Sequence, residues 1–115
     1  MKDYDGTLQY KDKSYKLVFN LNVMEEIQDE YGTLAKWGEL TDGEEGEPNA
    51  KAVLFGLTAM LNEGIDITNE EQGTDIKPLT KKQVGRILTE VGLMEATQTL
   101  NDVVIQSTQS TEKNE

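Results

Sequence analysis

Tyr15-Lys16-Leu17-Val18-Phe19-Asn20-Leu21-Asn22-Val23-Met24-Glu25-Glu26-Ile27 is the stretch where the chain changes period. Ser14 to Phe19 is rich in Tyr, Val and Phe, side chains that suit a pleated, half-buried surface. From Val23 the apolar residues recur at three- and four-residue steps, as Val23, Met24, Ile27 and Tyr31. Glu25, Glu26, Gln28, Asp29 and Glu30 occupy the other face. A strand therefore runs directly into an amphipathic helix. Asn20 and Asn22 are both placed to cap that helix, and Glu25 and Glu26 lie near its positive end. Gly32 is placed to stop it in a left-handed turn.

Toward the N-terminus, Thr7 to Tyr10 also favours a strand, joined to the first by Lys11-Asp12-Lys13; the pair reads as a β-hairpin. Toward the C-terminus, a short helical turn would place Leu34, Trp37 and Leu40 on one face. Asp42-Gly43-Glu44-Glu45-Gly46-Glu47 is a polar loop without an apolar anchor. Ala52 to Leu61 is apolar almost all round, and its length and helix formers predict a buried helix from about Asn49 to Glu63. Pro48 suits its start and Gly64 its end. Ile65 to Leu79 fits either a small hairpin or a long packed loop.

Thr80 is the clearest boundary. Thr80-Lys81-Lys82-Gln83 matches a capping box, with Leu79 and Val84 at staple positions. Val84, Ile87, Leu88 and Val91 form the inward face of the helix that follows, and Gly92 ends it. A last helix is expected from about Leu93 to Ser107, with Ala96, Leu100, Val103 and Val104 inward. Thr108 to Glu115 is polar and reads as a disordered tail. The fold class is α+β: one domain, residues 1–107, in which an N-terminal β-hairpin packs on a bundle of about four α-helices.

Composition narrows the function. The 115 residues include 22 acidic and 11 basic ones, for a net charge of −11. That balance opposes binding to nucleic acid or to an anionic membrane, both of which need Lys and Arg. No apolar run reaches the roughly 20 residues of a spanning helix, and no apolar signal region follows Met1. The sequence holds no His and no Cys, so Ser-His and Cys-His nucleophilic sites cannot be built. It contains no phosphate-cradling Gly loop, nucleophile elbow or calcium-loop spacing. Neither a catalytic residue nor a cofactor or metal site is expected, although hydrolysis by two carboxylates needs only acids. The acidic loop offers oxygens to a hard cation but fits no known loop motif, and a solvated loop accounts for it equally.

Two features bear on binding. Lys77, Lys81, Lys82 and Arg86 fall in Ile76 to Thr89, which holds none of the acidic residues. Such a basic island would dock an acidic partner or a second copy of the chain. Alternatively it is a solvated helix start balancing the acidic first helix. Trp37, the single tryptophan, would either anchor a partner or lie across the first helix as core. Gly56 and Gly85, inside predicted helices, point to close helix–helix approach.

The stretch from Tyr15 to Ile27, with Asn62-Glu63-Gly64-Ile65 and Lys81-Lys82-Gln83-Val84-Gly85-Arg86, resembles a tail assembly chaperone of long-tailed bacteriophages and prophages of Gram-positive hosts. The resemblance implies a non-enzymatic protein of the host cytoplasm, absent from the mature virion. Its partners would be the tape-measure protein, which it keeps soluble, and the tail-tube protein that polymerises around it. It also implies that Glu112-Lys113-Asn114, which GAA AAA AAC can encode, marks a ribosomal frameshift to a longer form. A different class of function is an acidic DNA mimic that inhibits a nucleic-acid-binding protein; it predicts strong, salt-sensitive binding to basic partners.

Overall fold

The computed structural model describes residues 4–42 and 46–113, with the side chains of residues 4, 5 and 109–113 outside the description. Strands β1 (Tyr4–Tyr10) and β2 (Lys13–Phe19) form an antiparallel hairpin, paired from Tyr4 with Phe19 to Tyr10 with Lys13. Its two-residue turn places Lys11 at φ +56°, the positive value such turns demand at their first central residue. Leu8, Leu17 and Phe19 enter the core from the hairpin.

Asn20 is the hinge between the two periods. Its side chain accepts the Val23 N–H at 3.2 Å and caps α1 (Leu21–Tyr31), whose buried side chains are Val23 and Ile27. Gly32 ends α1 at φ +90°, its N–H bonded to the Gln28 carbonyl. What the sequence suggests as a short turn is a full helix, α2 (Leu34–Asp42), capped by the Thr33 hydroxyl on the Lys36 N–H. Leu40 does not share the inward face with Trp37. It is exposed, and Thr41 is buried in its place with its hydroxyl bonded to the Gly38 carbonyl.

The central helix α3 (Ala50–Gln72) begins at its Asn49 cap as expected but runs nine residues past Glu63. Gly64 is therefore not a terminator. It lies buried within the helix, where a Cβ would stand 2.5 Å from the Lys16 carbonyl oxygen, so β2 rests on bare helix backbone. Gly73, at φ +66°, is the stop instead. Residues 65–72 are helical and residues 74–80 form a strap that is neither helix nor strand, so neither end of this segment is a hairpin.

Helix α4 (Lys81–Val91) opens with both reciprocal bonds of the capping box, Thr80 N–H to Gln83 Oε1 at 2.8 Å and Gln83 N–H to Thr80 Oγ1 at 3.2 Å. After Gly92, α5 (Leu93–Lys113) continues past Ser107 through Lys113. Ala96, Leu100 and Val103 are buried, Val104 is half-buried, and the Ser107 hydroxyl faces the Phe19 carbonyl at 3.4 Å. The architecture is α+β: a hairpin held on a five-helix bundle, with α3 against β2 and α5 against β1. No described helix is long and apolar enough to cross a membrane.

Candidate interaction surface

The strap is held to α3 by two asparagines seven residues apart. Asn62 Nδ2 donates to the Leu79 carbonyl at 3.0 Å while its Oδ1 accepts the Leu79 N–H at 2.7 Å. Two turns on, Asn69 treats Ile76 the same way, at 2.9 and 3.0 Å, and also accepts the Thr74 hydroxyl at 2.7 Å. The match is geometric. Seven helical residues rise about 10.5 Å and three extended residues span about 10 Å. Each amide stands in for a strand edge, so the strap runs back along α3 without a sheet.

The strap and α3 separate two grooves of opposite character. One, of about 390 Å³, lies between α1, α3 and the start of α4, and Glu26, Glu63, Asp66 and Lys81 line it above Phe55. Glu63 Oε2 accepts from Asn20 Nδ2 at 2.7 Å and from Asn22 Nδ2 at 3.0 Å, which ties α1 to α3. Glu26 has its pKa raised, first by burial and then by the charges of Glu63, Glu25 and Asp66. Among the described residues no group of three or more ligating side chains could hold a metal ion. Residues 43–45 of the acidic loop lie outside the description.

The other groove, of about 590 Å³, lies between β2, α3 and the strap. Leu61, Ile65, Ile76 and Leu79 supply apolar surface, and Lys13, Lys16 and Lys77 line it too; among the described residues no acidic side chain does. Its α3 residues Leu61, Gly64, Ile65 and Thr68 recur at three- and four-residue steps, on a different face from Glu63 and Asp66.

The predicted contact residues are divided by this geometry. Lys77, Lys81, Lys82 and Arg86 are all exposed, but Lys77 belongs to the basic groove and Lys81 to the acidic one. Lys82 and Arg86 sit one turn apart on α4. Trp37 is not available to a partner. It is 1% exposed, donates its indole N–H to the Ala52 carbonyl at 2.9 Å, and packs on Gly56. Gly56 thus serves close packing as expected, whereas a Cβ on Gly85 would meet nothing within 4 Å. Lys13 and Lys16 were invisible as site residues because only the fold brings the hairpin beside the strap.

Comparison of the chain with family models, curated proteins and solved structures finds no match.

Proposed function

We propose that this chain is a non-enzymatic tail assembly chaperone of a long-tailed bacteriophage or prophage, which binds the tape-measure protein and assists tail-tube polymerisation in the host cytoplasm. The observation that carries the protein-binding part is the open groove with an apolar floor and three lysines, on a chain of net charge −11. Such a surface suits reversible capture of a polypeptide, because charge steers the encounter and modest apolar burial keeps release easy. The tail-specific part rests on the resemblance of Tyr15–Ile27, which forms the strand-to-helix joint capped by Asn20.

Co-expression with the tape-measure protein from the same locus tests this reading. The expected result is a soluble, co-purifying complex, weakened when Lys77, Lys81, Lys82 and Arg86 are changed to Glu while thermal stability is kept. A tape-measure protein that stays insoluble and uncaptured would overturn it.

A second reading has the acidic groove as its observation, because Glu26, Glu63 and Asp66 line one cavity. Two carboxylates in one cavity meet the minimum for glycoside hydrolysis. Glu63, however, already accepts two amide bonds that join α1 to α3, a structural task. Hydrolysis of a glycoside panel, lost in Glu26→Gln, would favour the enzyme; no turnover would leave the groove structural.

A further inference from the structure

We propose that the furrow along α3 and α4 docks one amphipathic helix of a partner protein, apolar where it passes Gly85 and basic where it reaches Glu26, Glu63 and Asp66. The inference rests on the proposed function only in taking the partner to be a protein.

The furrow has two ends. At one, Ala50, Leu54, Gly85, Leu88, Thr89 and Leu93 line a cavity of about 290 Å³, and none of them is charged. At the other is the acidic cavity, where Thr58 and Asn62 continue the α3 wall and Lys81 the α4 wall. Leu54 and Thr58 are one turn apart, as are Lys81 and Gly85, so the two cavities are successive stretches of one furrow. From Ala50 to Asp66 the helix α3 rises about 24 Å, roughly four turns of an occupant.

Gly85 says how closely that occupant approaches. Glycine weakens a helix relative to alanine, and a Cβ there would meet nothing within 4 Å, so no contact among the described residues accounts for it. Its bare backbone opens on the furrow, where a second helix can come nearer than any side chain would allow. The threonines of the walls ask for no polar partner. Thr89 donates its hydroxyl back to the Gly85 carbonyl at 2.9 Å, and Thr58 donates to the Leu54 carbonyl at 2.7 Å.

The walls decide the form of the occupant. Both are helices, whose main-chain groups are spent on their own turns. An extended segment would bring N–H and C=O groups with nothing to pair, whereas a helix pairs its own. Charge then orients it. Three carboxylates face a single lysine, Lys81, in the acidic cavity, and Glu63 and Asp66 repel the charge of Glu26. Lysine or arginine at that end of the occupant relieves the repulsion, and a net charge of −11 draws a basic helix in. A second copy does not supply such a helix. Only α4 among the described helices carries more than one basic residue, and its Val84, Ile87 and Leu88 are buried in its own core.

The test uses the full chain and a fluorescein-labelled peptide of about 18 residues, with Leu at the inner helical positions of one half and Lys at those of the other. It is made in both orders on an Ala/Gln background. One control replaces Lys by Glu, and another scrambles the same residues around the helix. Fluorescence anisotropy should show saturable binding of at least one order, with a gain of helix in far-UV circular dichroism. Both controls should bind at least about tenfold more weakly. Gly85→Leu should weaken the peptide by at least about tenfold and Gly85→Ala by about threefold, while neither lowers the melting temperature. Loss of binding in a more stable protein is a result that a purely structural role for Gly85 does not give. Glu26→Gln with Asp66→Asn, both exposed, should weaken it by about tenfold without unfolding the chain. Ile105→Ser, at an exposed apolar position about 18 Å along α5 from Leu93, should change it less than about threefold.

Equal binding of the scrambled peptide would reduce the effect to bulk charge and overturn the assignment. So would indifference to the Gly85 variants, absence of saturation, or a bound peptide that gains no helix. Self-association in sedimentation velocity that Gly85→Leu abolishes would also overturn it, by making a second copy the occupant. The two proposals fail separately. Peptide binding without capture of a tape-measure protein retires the tail reading and keeps the furrow. Capture unaffected by Gly85→Leu and by Glu26→Gln with Asp66→Asn keeps the tail reading and retires the furrow.

Discussion

Replacing Gly64 by Ala should destabilise the protein, and the same change at Gly85 should stabilise it. Both glycines lie inside helices, where Gly costs about 1 kcal/mol relative to Ala. Propensity alone therefore predicts an equal gain at both. At Gly85 nothing lies within 4 Å of the new methyl group, so the gain of about 1 kcal/mol should be realised. At Gly64 the methyl would stand 2.5 Å from the Lys16 carbonyl oxygen and 3.3 Å from its carbon. That oxygen belongs to backbone, in a strand whose Leu17 and Phe19 are wholly buried, so β2 cannot yield alone. Overpacking of this kind costs about 1–3 kcal/mol, and offsetting about 1 kcal/mol of propensity leaves a net loss of up to about 2 kcal/mol. For a domain of this size each kcal/mol shifts the melting temperature by roughly 4 °C. Gly64→Ala should therefore melt several degrees lower and Gly85→Ala about 4 °C higher. Thermal melts and urea titrations read by circular dichroism measure both, with equal m-values required for the comparison. A Gly64→Ala variant as stable as Gly85→Ala would refute the close seating of β2 on α3.

Tyr31→Phe should hold or raise stability by up to about 1 kcal/mol in urea unfolding, because the Tyr31 hydroxyl is buried with no hydrogen-bond partner among the described residues. The ring itself must stay, since it meets Phe55 edge-on at 5.5 Å. Asn62→Ala should cost roughly 1–2 kcal/mol, as two part-buried bonds to Leu79 are lost, with hydrogen exchange showing loss of protection at the Leu79 amide. Glu26→Gln should stabilise the protein at neutral pH by a few tenths of a kcal/mol, a small figure because the side chain is largely solvated. Its sign follows from the raised pKa: ionised Glu26 is disfavoured by folding, so the wild type loses this increment as pH rises through the raised value. Below the ordinary glutamate range the two proteins should converge in melts run across pH.

Local chemistry was legible wherever a residue's partner is near in sequence. The Thr80–Gln83 capping box, the hairpin and the starts of α3 and α5 all follow from contacts a few residues apart. The failures are tertiary. Gly64 reads as a helix stop because glycine commonly occupies such stops, yet it is kept bare by a strand 48 positions earlier at Lys16. Residues 65–72 have weak periodicity of their own and stay helical while Asn69 clips the returning strap. Leu40 and Thr41 exchange roles for a related reason: the inward direction of α2 is set by Trp37, whose indole must reach the Ala52 carbonyl. The basic island was visible as a run of sequence, but its division between two grooves was not. Lys77 and Lys81 are four residues apart, yet the capped turn at Thr80 separates the strap from the helix.

That division changes what the charges are for. Four cations on one face would make an undirected attractor, and its strength would fall with salt at distances beyond a Debye length of about 8 Å. Lys81 instead lines the groove of Glu26, Glu63 and Asp66, on the far side of α3 from Lys77. The other groove takes two of its three lysines, Lys13 and Lys16, from the hairpin. Hairpin and strap come from opposite sides of α3 in sequence, and each is seated on it by a specific device: the bare backbone at Gly64 for β2 and the amide clips at Asn62 and Asn69 for the strap. Any change that loosens either device should move the groove walls apart before it unfolds the core. Asn69→Ala isolates that effect, since its bonds to Ile76 are exposed and contribute little to global stability. It should leave the melting temperature nearly unchanged while the Ile76 amide loses protection from hydrogen exchange. If protection and melting temperature instead fall together, the strap is part of the cooperative core.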